Sequence, residues 1–359
     1  NKTVYDIMVT PAKVENIDTA LFCDILGISA ASYKKRLQEA RRYSYYKPSV
    51  FLKRLSKKRY ARLQERKFAF SGYYARPRTT RTYPHKVAPH TLGYLGEITQ
   101  EQLSQNEDFY RLGDYIGISG LEKQYETLLR GSKGSRYVMV DALNRQQGSY
   151  LDGEMDVPAT PGRDIVTSID LDLQRYGERL MKGKIGSVVA IEPGSGEVLA
   201  MVSSPSYDPN KLVGRDRAEN FRELAQSPYK PLFNRTITAT YPPGSTFKPL
   251  MAVLGLQDSV IQSSTRIGCN NGTYISGLRV GCHSHEAPAN LYNSIVHSCN
   301  SYYVNTFKRF IEQDRFQSAK AGYNQWYQYV RDFGLGRPLG IDLPSEQSGS
   351  LPQGKYYDK

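Results

Sequence analysis

The sequence lacks a long hydrophobic run. Its 359 residues contain no stretch approaching the roughly 18 apolar residues that a membrane-spanning helix needs. The first ten residues, NKTVYDIMVT, also lack the apolar core of a signal peptide. We therefore expect either a cytosolic protein or an exported one whose N-terminal export or anchor segment lies outside this sequence.

Glycine and proline are too sparse for a collagen-like protein. The chain has 30 glycines and 19 prolines, and 39% of its residues are hydrophobic and 23% charged. This balance also excludes wholesale disorder. A chain of this length most often folds into two domains.

Acidic residues are nearly absent from one segment, which carries almost the whole net charge of +13. Residues 34–67 hold 14 Lys/Arg against two acidic residues, Glu39 and Glu65. The segment is expected to form one or two exposed helices. A solvated face, an anionic membrane surface, an acidic partner and nucleic acid all fit it. Because the excess is confined to 34 residues, we expect no nucleic-acid partner.

The sequence of the first 160 residues predicts short strands on either side of the basic segment. Residues 4–9 (VYDIMV) predict a strand, and residues 136–157 alternate polar and apolar side chains as strands do. Between them, Thr99 and Gln102 match a helix-capping box. Residues 158–162 (PATPG) are typical of a domain boundary.

The second half begins with more regular elements. Residues 165–169 predict a strand and residues 172–182 a helix. Two nearly all-apolar runs, 187–191 and 198–202, flank a Pro/Gly turn and predict a central hairpin buried on both faces. An apolar helix over 245–257 is expected to cover this hairpin.

The strongest candidate for chemistry is the sequence YPPGSTFKP at 241–249. Ser245 and Lys248 lie three residues apart on a predicted helix, so the hydroxyl and the amine share one face. That is the arrangement of a serine nucleophile and its base. The Ser-x-x-Lys pattern also occurs at Ser32, Ser44 and Ser227, but Ser245 alone combines a chain break with an apolar helix behind it.

A second candidate element is Ser298-Cys299-Asn300, 53 residues further on. Its hydroxyl could pass a proton, and its amide could hold Lys248 or a substrate carbonyl. The pattern is weak alone, because Ser104-Gln105-Asn106 repeats it and such pairs most often cap helices or form turns.

Six segments, in order, resemble class B penicillin-binding proteins of the elongation (rod-shape) type. The resemblance covers nearly the whole chain and is weakest across residues 33–70. The segments are RTYPHKVAPHTLGYLGEI (81–98), GISGLEKQYETLLRG (117–131), GRDIVTSIDLDLQRYGERLM (162–181), VVAIEPGSGEVLAMVSSPSYDPN (188–210), YPPGSTFKP (241–249) and GLGRPLGIDLPSEQSGSLP (334–352).

The resemblance implies an α+β multidomain fold. Residues 1–160 would form a strand-rich pedestal, or dimerisation domain, with a basic helical head at about 33–70. Residues 161–359 would form the N-terminal part of a penicillin-binding transpeptidase domain, which has the α/β/α architecture of serine β-lactamases.

The resemblance also assigns roles at the site. Ser245 would be the acylated nucleophile and Lys248 its base. Ser298 would relay a proton, and Asn300 would position Lys248 or a substrate carbonyl. The neighbouring Gly244 and Cys299 would line the substrate site. The substrate would be the D-alanyl-D-alanine end of a peptidoglycan stem peptide, which β-lactams imitate, and catalysis would require no cofactor.

The family's third motif, Lys-Thr-Gly or Lys-Ser-Gly, is absent. The nearest string, Lys133-Gly134-Ser135, lies in the wrong domain and order. In the family, that motif supplies substrate binding and part of the oxyanion hole. We therefore expect an incomplete and essentially inactive transpeptidase domain. A catalytically inactive scaffold, a β-lactam sensor and a class D-like β-lactamase are the alternatives.

Three of the four cysteines and three of the five histidines fall between residues 269 and 299. A disulfide between Cys269 and Cys282, unrelated residues, or a zinc site could explain this clustering. Some elongation-type relatives resemble the zinc arrangement, with a metal beside the active site. The candidate ligands of a structural Zn²⁺ are Cys269, Cys282, His285 and Cys299, with His283 as a substitute.

The resemblance further implies partners and a location. An anchor helix outside this sequence would hold the protein in the bacterial inner membrane, facing the periplasm. A SEDS-type glycan polymerase of the elongation machinery would dock on the pedestal.

Overall fold

The structure is a computed structural model that describes residues 1–106, 108–142, 146–214, 216–275 and 277–357. The chain divides into two units. The first comprises Asn1–Thr236 with Asp342–Pro344, and the second Ile237–Ile341 with Ser345–Lys359. A domain boundary near residue 160 remains a prediction from the sequence.

The first unit opens with a three-stranded antiparallel sheet of order β2-β1-β3. The predicted first strand is confirmed as the middle strand, where Val9 pairs with Ser49 on one side and Tyr73 on the other. Three helices that begin at Asp18, Ser29 and Ser56 caps pack on this sheet. The elements are β1 (Lys2–Val9), α1 (Thr19–Leu26), α2 (Ala30–Tyr43), β2 (Ser49–Leu55), α3 (Lys57–Glu65) and β3 (Tyr73–Thr80).

The basic segment is not wholly helical, so that prediction is wrong in part. Strand β2 separates its two helices. Phe51, Leu52 and Leu55 of β2 are buried in the core, where Phe51 contacts Phe22 of α1. Burial against β1 therefore decides the structure of a stretch whose charge suggested an exposed helix.

The middle of the first unit consists of short elements. The capping box of Thr99 and Gln102 is confirmed at the start of α5, and the strands pair as antiparallel hairpins β4-β5 and β6-β7. The elements are α4 (Pro89–Leu92), β4 (Leu95–Glu97), α5 (Gln100–Ser104), β5 (Tyr115–Gly117), α6 (Gly120–Gln124), α7 (Glu126–Leu129), β6 (Val138–Val140) and β7 (Gln146–Ser149).

The first unit ends with α8 (Leu171–Leu180), the hairpin of β8 (Gly186–Ile191) and β9 (Val198–Ser204), and α9 (Arg217–Gln226). The predicted hairpin is confirmed, but β8 is not buried on both faces. Val188 is 44% exposed and Ile191 58% exposed. In the described part of the chain β8 pairs with β9 alone, so its side chains have few neighbours.

The predicted strand over 165–169 is also wrong. Its backbone forms no ladder in the structure, and Val166 is 96% exposed. A β-branched sequence does not form a strand without a partner strand to complete its hydrogen bonds.

The second unit is built on three packed helices. The predicted helix at 245–257 is confirmed, except that its first turn, Gly244–Phe247, is a 3₁₀ helix. The elements are α10 (Lys248–Gln257), β10 (Gly272–Ile275), β11 (Leu278–Gly281), α11 (Leu291–Val296), α12 (Asn300–Ile311) and α13 (Ala319–Asp332). Their buried core includes Leu254, Tyr302, Phe310 and Val330.

The fold as a whole mixes helix and sheet, as predicted. No helix in the described ranges is long and apolar enough to cross a membrane.

Candidate active site

Ser245 lies on a sharp turn directly before α10 in the second unit. Pro242 and Pro243 bring the chain to Gly244, whose φ of +60° is the left-handed conformation that glycine adopts without strain. The 3₁₀ turn then carries Ser245, which is exposed, and Lys248 opens α10 directly after it. One helical turn therefore separates the hydroxyl from the amine.

Ser298 and Asn300 lie where α11 gives way to α12. Ser298 has a φ of +50°, an uncommon conformation for a residue with a side chain. Cys299 caps α12 by accepting a hydrogen bond from the Tyr302 N–H at 3.4 Å. Asn300 is the first residue of α12. Strain at Ser298 is typical of a residue held for function by its surroundings.

Hydrogen bonds bring the four predicted catalytic side chains together. Lys248 Nζ donates to Ser298 Oγ at 2.8 Å and to Asn300 Oδ1 at 2.6 Å, as well as to the Ser298 carbonyl oxygen at 2.6 Å. Ser298 Oγ donates to Ser245 Oγ at 3.0 Å. The contacts form one connected path from the Ser245 hydroxyl through Ser298 to the Lys248 amine.

The environment of Lys248 suits a base. Burial lowers the pKa of its amine, because a charged ammonium loses solvation. The nearby Cys282 and Cys299 oppose this shift. A lowered pKa leaves a larger neutral fraction to accept a proton near neutral pH.

The Asn300 amide forms hydrogen bonds within the protein through both its oxygen and its nitrogen. Its oxygen accepts from Lys248, and its Nδ2 donates to the carbonyl oxygen of Gly281 at 2.8 Å. The Asn300 backbone N–H also donates to Cys282 Sγ at 3.3 Å. The end of strand β11 therefore orients Asn300, and Asn300 in turn orients Lys248.

The support from Gly281 escapes sequence reasoning. Glycine has no side chain, and its role here belongs to a backbone carbonyl. Its position directly before Cys282, a candidate ligand, is the one signal in the sequence that could have pointed to it.

The candidate metal ligands form a cluster in the same unit. The ligand atoms of Cys269, Cys282, His285 and Cys299 all lie within 4.8 Å of one another. His283 is exposed and stands outside this group. All four cysteines of the chain are free thiols, so the structure holds no Cys269–Cys282 disulfide.

Hydrogen bonds orient the cluster. The Nδ1 atom of His285 lies 2.8 Å from the carbonyl oxygen of Glu286, which leaves Nε2 facing Cys282 Sγ at 3.6 Å. Burial raises the pKa of the Cys282 thiol, but hydrogen bonds from the Asn300 N–H and His285 outweigh it and lower the pKa to about 7. Burial raises the pKa of Cys299 to about 12.

The donor set fits zinc. Three thiols and one imidazole are ligands of structural zinc sites, and ligand atoms about 2.3 Å from a tetrahedral zinc stand roughly 3.8 Å apart. The four ligand atoms all lie within 4.8 Å of one another, at most about 1 Å above that spacing. Four protein ligands complete the tetrahedral coordination of a structural zinc site.

This set of side chains is of the Ser-x-x-Lys type, in which a serine precedes a lysine by three residues at the start of a helix. Two family models match the chain. One describes the Penicillin-binding Protein dimerisation domain and matches residues 1–167, and the other describes the Penicillin binding protein transpeptidase domain and matches residues 186–359. The chain belongs to the penicillin-binding proteins.

Similar proteins include the peptidoglycan D,D-transpeptidase MrdA of Acinetobacter baumannii, 31% identical over 99% of this chain and 52% of that protein. MrdA of Escherichia coli K12 is 29% identical over the whole chain and 56% of its own length. The chain thus spans about half the length of the curated relatives it matches.

Solved structures give the same fold. A complex of PBP2 with MreC from Helicobacter pylori has a TM-score of 0.76 at 23% identity, and covers 99% of this chain and 65% of that one. PBP2 of Pseudomonas aeruginosa in complex with WCK 5153 has a TM-score of 0.62 at 28% identity, with 79% of this chain and 56% of that one covered.

Proposed function

We propose that the protein is a peptidoglycan D,D-transpeptidase that crosslinks stem peptides through a Ser245 acyl-enzyme during cell elongation. The observation that carries this proposal is the hydrogen-bonded path from Ser245 through Ser298 to Lys248. The D,D-transpeptidase names of the MrdA relatives support the same reaction.

In the acylation step, the Ser245 oxygen attacks the carbonyl carbon of the penultimate D-alanine. Its proton passes to the neutral Lys248 amine, with Ser298 as the relay. The peptide bond to the last D-alanine breaks, and the leaving amine takes the proton. An amine of a neighbouring stem peptide then attacks the ester, forms the crosslink and frees Ser245.

Labelling with a tagged penicillin tests the proposal. The strained amide of a β-lactam should acylate Ser245 in the protein at its full natural length, and peptide mapping should find the adduct there. The Ser245→Ala variant should take no label. The Ser227→Ala variant, which removes another serine of the Ser-x-x-Lys pattern, should label normally.

The lifetime of the adduct separates this function from the alternatives. A transpeptidase releases the penicilloyl group slowly. Rapid turnover would identify a β-lactamase instead, and no adduct at all would identify a scaffold without chemistry. Either result would overturn the proposal.

The metal cluster belongs to the same proposal. The zinc ligands would be Cys269, Cys282, His285 and Cys299. The Zn²⁺ would be structural, because four protein ligands leave no position open for substrate. Cys299 adjoins Ser298 in the chain, and Cys282 accepts the Asn300 N–H. These ligands would therefore fix the two residues that hold Lys248.

Zinc content and stability test this site. The purified protein should contain about one zinc per chain, and removal by a chelator should lower its melting temperature. Cys282→Ser should lose the zinc, whereas Cys23→Ser, a buried cysteine in the first unit, should keep it. A zinc-free protein whose stability ignores the chelator would contradict the site.

We further place the protein at the periplasmic face of the inner membrane, with a SEDS-type glycan polymerase and other elongation proteins as partners. The relative from Helicobacter pylori was solved as a complex with MreC, which supports an elongation partner. Crosslinking in cells with the full-length protein should capture the polymerase. Its absence from such complexes would contradict this assignment.

A further inference from the structure

A basic pocket of about 450 Å³ lies in the first unit and contains none of the active-site residues. Four basic side chains and one carboxylate line it: Arg36, Lys53, Arg54, Arg217 and Glu97. Apolar residues of β2 complete the wall. The formal charge of the lining is therefore strongly positive.

The single carboxylate does not neutralise the arginines, because Lys53 forms an ion pair with Glu97. Among the described residues, no carboxylate oxygen lies within 4.0 Å of the guanidinium groups of Arg36, Arg54 or Arg217. Three positive charges therefore face one cavity without a negative partner.

The contacts of these arginines are with neutral acceptors. Arg36 donates to Ser32 Oγ at 3.1 Å and to the Phe51 carbonyl oxygen at 3.2 Å. Arg217 Nε donates to the Leu95 carbonyl oxygen at 3.2 Å. A guanidinium has five N–H donors, so these contacts orient each side chain and leave donors for a ligand.

Arg54 is held in place by a strained backbone. Its φ is +59°, and its N–H donates at 2.8 Å to the fully buried carboxylate of Asp6. Its guanidinium stacks over the Tyr115 ring at 4.8 Å. Burial lowers the pKa of Arg54, and the positive charges of Arg78 and Arg217 add to this effect against the opposing charge of Glu97. Burial is the main cause of this shift, and the charges of Glu97 and Asp6 favour the cation.

We propose that this pocket binds a phosphate or diphosphate group. Several guanidinium forks match the several oxygens of a phosphate, whose charge balances the unpaired arginines better than one carboxylate could. The volume exceeds that of the anion alone, so the apolar wall would contact the remainder of a larger phosphorylated molecule. The ligand would be recognised by its phosphate.

Titration calorimetry with inorganic diphosphate tests the pocket. The 359-residue chain should bind diphosphate, and Arg36→Gln and Arg217→Gln should each weaken binding at least tenfold. Arg42→Gln is the matched control, because it removes an exposed arginine from the same helix as Arg36 but outside the pocket. It should change affinity less than twofold.

Competition titrations distinguish free phosphate from the phosphate of a lipid headgroup as the ligand. Inorganic phosphate should compete with diphosphate, and a phosphorylated lipid headgroup should compete more strongly than phosphate if the apolar wall takes part. Citrate, a tricarboxylate, should compete poorly. Equal weakening by Arg42→Gln, stronger competition by citrate, or no diphosphate binding at millimolar concentration would each overturn the proposal. Arg217 makes one backbone hydrogen bond and one contact with the Tyr94 ring at 5.7 Å, and neither involves Arg36. Arg217→Gln therefore remains informative if Arg36→Gln destabilises the fold.

Discussion

At the scale of single residues, the hydrogen bonds of Lys248 limit how it can act as a base. Its amine contacts three oxygen atoms, two from Ser298 and one from Asn300. A neutral amine has two N–H donors and one lone pair, so deprotonation must free one of these three contacts. The contact with Ser298 Oγ is the one that leads to Ser245.

We predict that, in the protein at its full natural length, acylation of Ser245 by a penicillin accelerates with rising pH. Lys248 must be neutral to accept the proton, and burial lowers its pKa from the ordinary 10.5, so the midpoint of the rise should fall below 10.5. Lys248→Arg should lose at least about 100-fold in rate at every pH, because a guanidinium stays charged. A flat profile in the native enzyme between pH 6 and 10 would exclude Lys248 as the base.

A second prediction concerns His90, which is 8% exposed and lies 2.7 Å from the Pro231 carbonyl oxygen. Burial lowers its pKa from 6.5 to about 4. The unfolded chain therefore gains a proton near pH 6.5 while the folded chain does not, and stability falls as the pH drops from 6.5 to 4. The loss amounts to about 3 kcal/mol at most.

Urea unfolding at pH 7 and pH 4 measures this contribution. His90→Gln should lose less stability between the two pH values than the native chain does. His283→Gln, at an exposed position, should behave like the native chain. If all three chains lose the same stability, His90 is not the cause.

Residue-level prediction from the sequence works where a motif fixes both chemistry and spacing. Ser245 and Lys248 lie three residues apart at the start of α10, so the spacing alone places them on neighbouring positions of the helix, and Ser298 connects their side chains. Ser298 and Asn300 come from a distant segment, and their meeting with Lys248 depends on helix packing that no local pattern encodes. The carbonyl of Gly281 is invisible to any rule based on side chains.

At the scale of elements, helices α12 and α13 meet through a glycine. A β-carbon added to Gly322 of α13 would lie 2.2 Å from the carbonyl oxygen of Ile311 at the end of α12. That atom is backbone and cannot rotate away. The close approach of the two helices therefore requires glycine here.

We predict that Gly322→Ala destabilises the second unit by about 2 kcal/mol or more, although alanine favours helix by about 1 kcal/mol. Gly268→Ala serves as the control, because its added β-carbon meets no atom within 4 Å. Its effect should stay below about 1 kcal/mol. Equal melting temperatures for the two variants would contradict the packing argument.

Element prediction from the sequence fails where charge and burial compete. Strand β2 contains Lys53 and Arg54 between buried Leu52 and Leu55, so its composition resembles the flanking helices. Pairing with β1 settles the conformation. Conversely, residues 165–169 have strand composition, but among the described residues they pair with no other strand and form no ladder. Both errors arise from tertiary contacts that local propensity does not include.

At the scale of the whole molecule, several of the basic side chains behind the net charge of +13 form ion pairs or hydrogen bonds within the first unit. Arg62 pairs with Asp24 at 3.0 Å, and Lys53 pairs with Glu97. Arg59 donates to the Leu26 carbonyl oxygen at 2.6 Å, and Arg36 to that of Phe51. Part of the basic segment therefore stabilises the first unit.

This division leads to a final prediction, that the protein has no specific affinity for nucleic acid. Phosphate contacts from scattered surface cations give binding that weakens steeply with salt and ignores sequence. Fluorescence anisotropy with a labelled DNA duplex should therefore detect weak binding at low salt that is lost by about 150 mM. Two unrelated duplexes should give the same curve. Submicromolar binding that persists at that salt concentration would show that the basic segment forms a nucleic-acid surface. The structural contacts of Arg36, Arg59 and Arg62 would then not explain the positive charge of that segment.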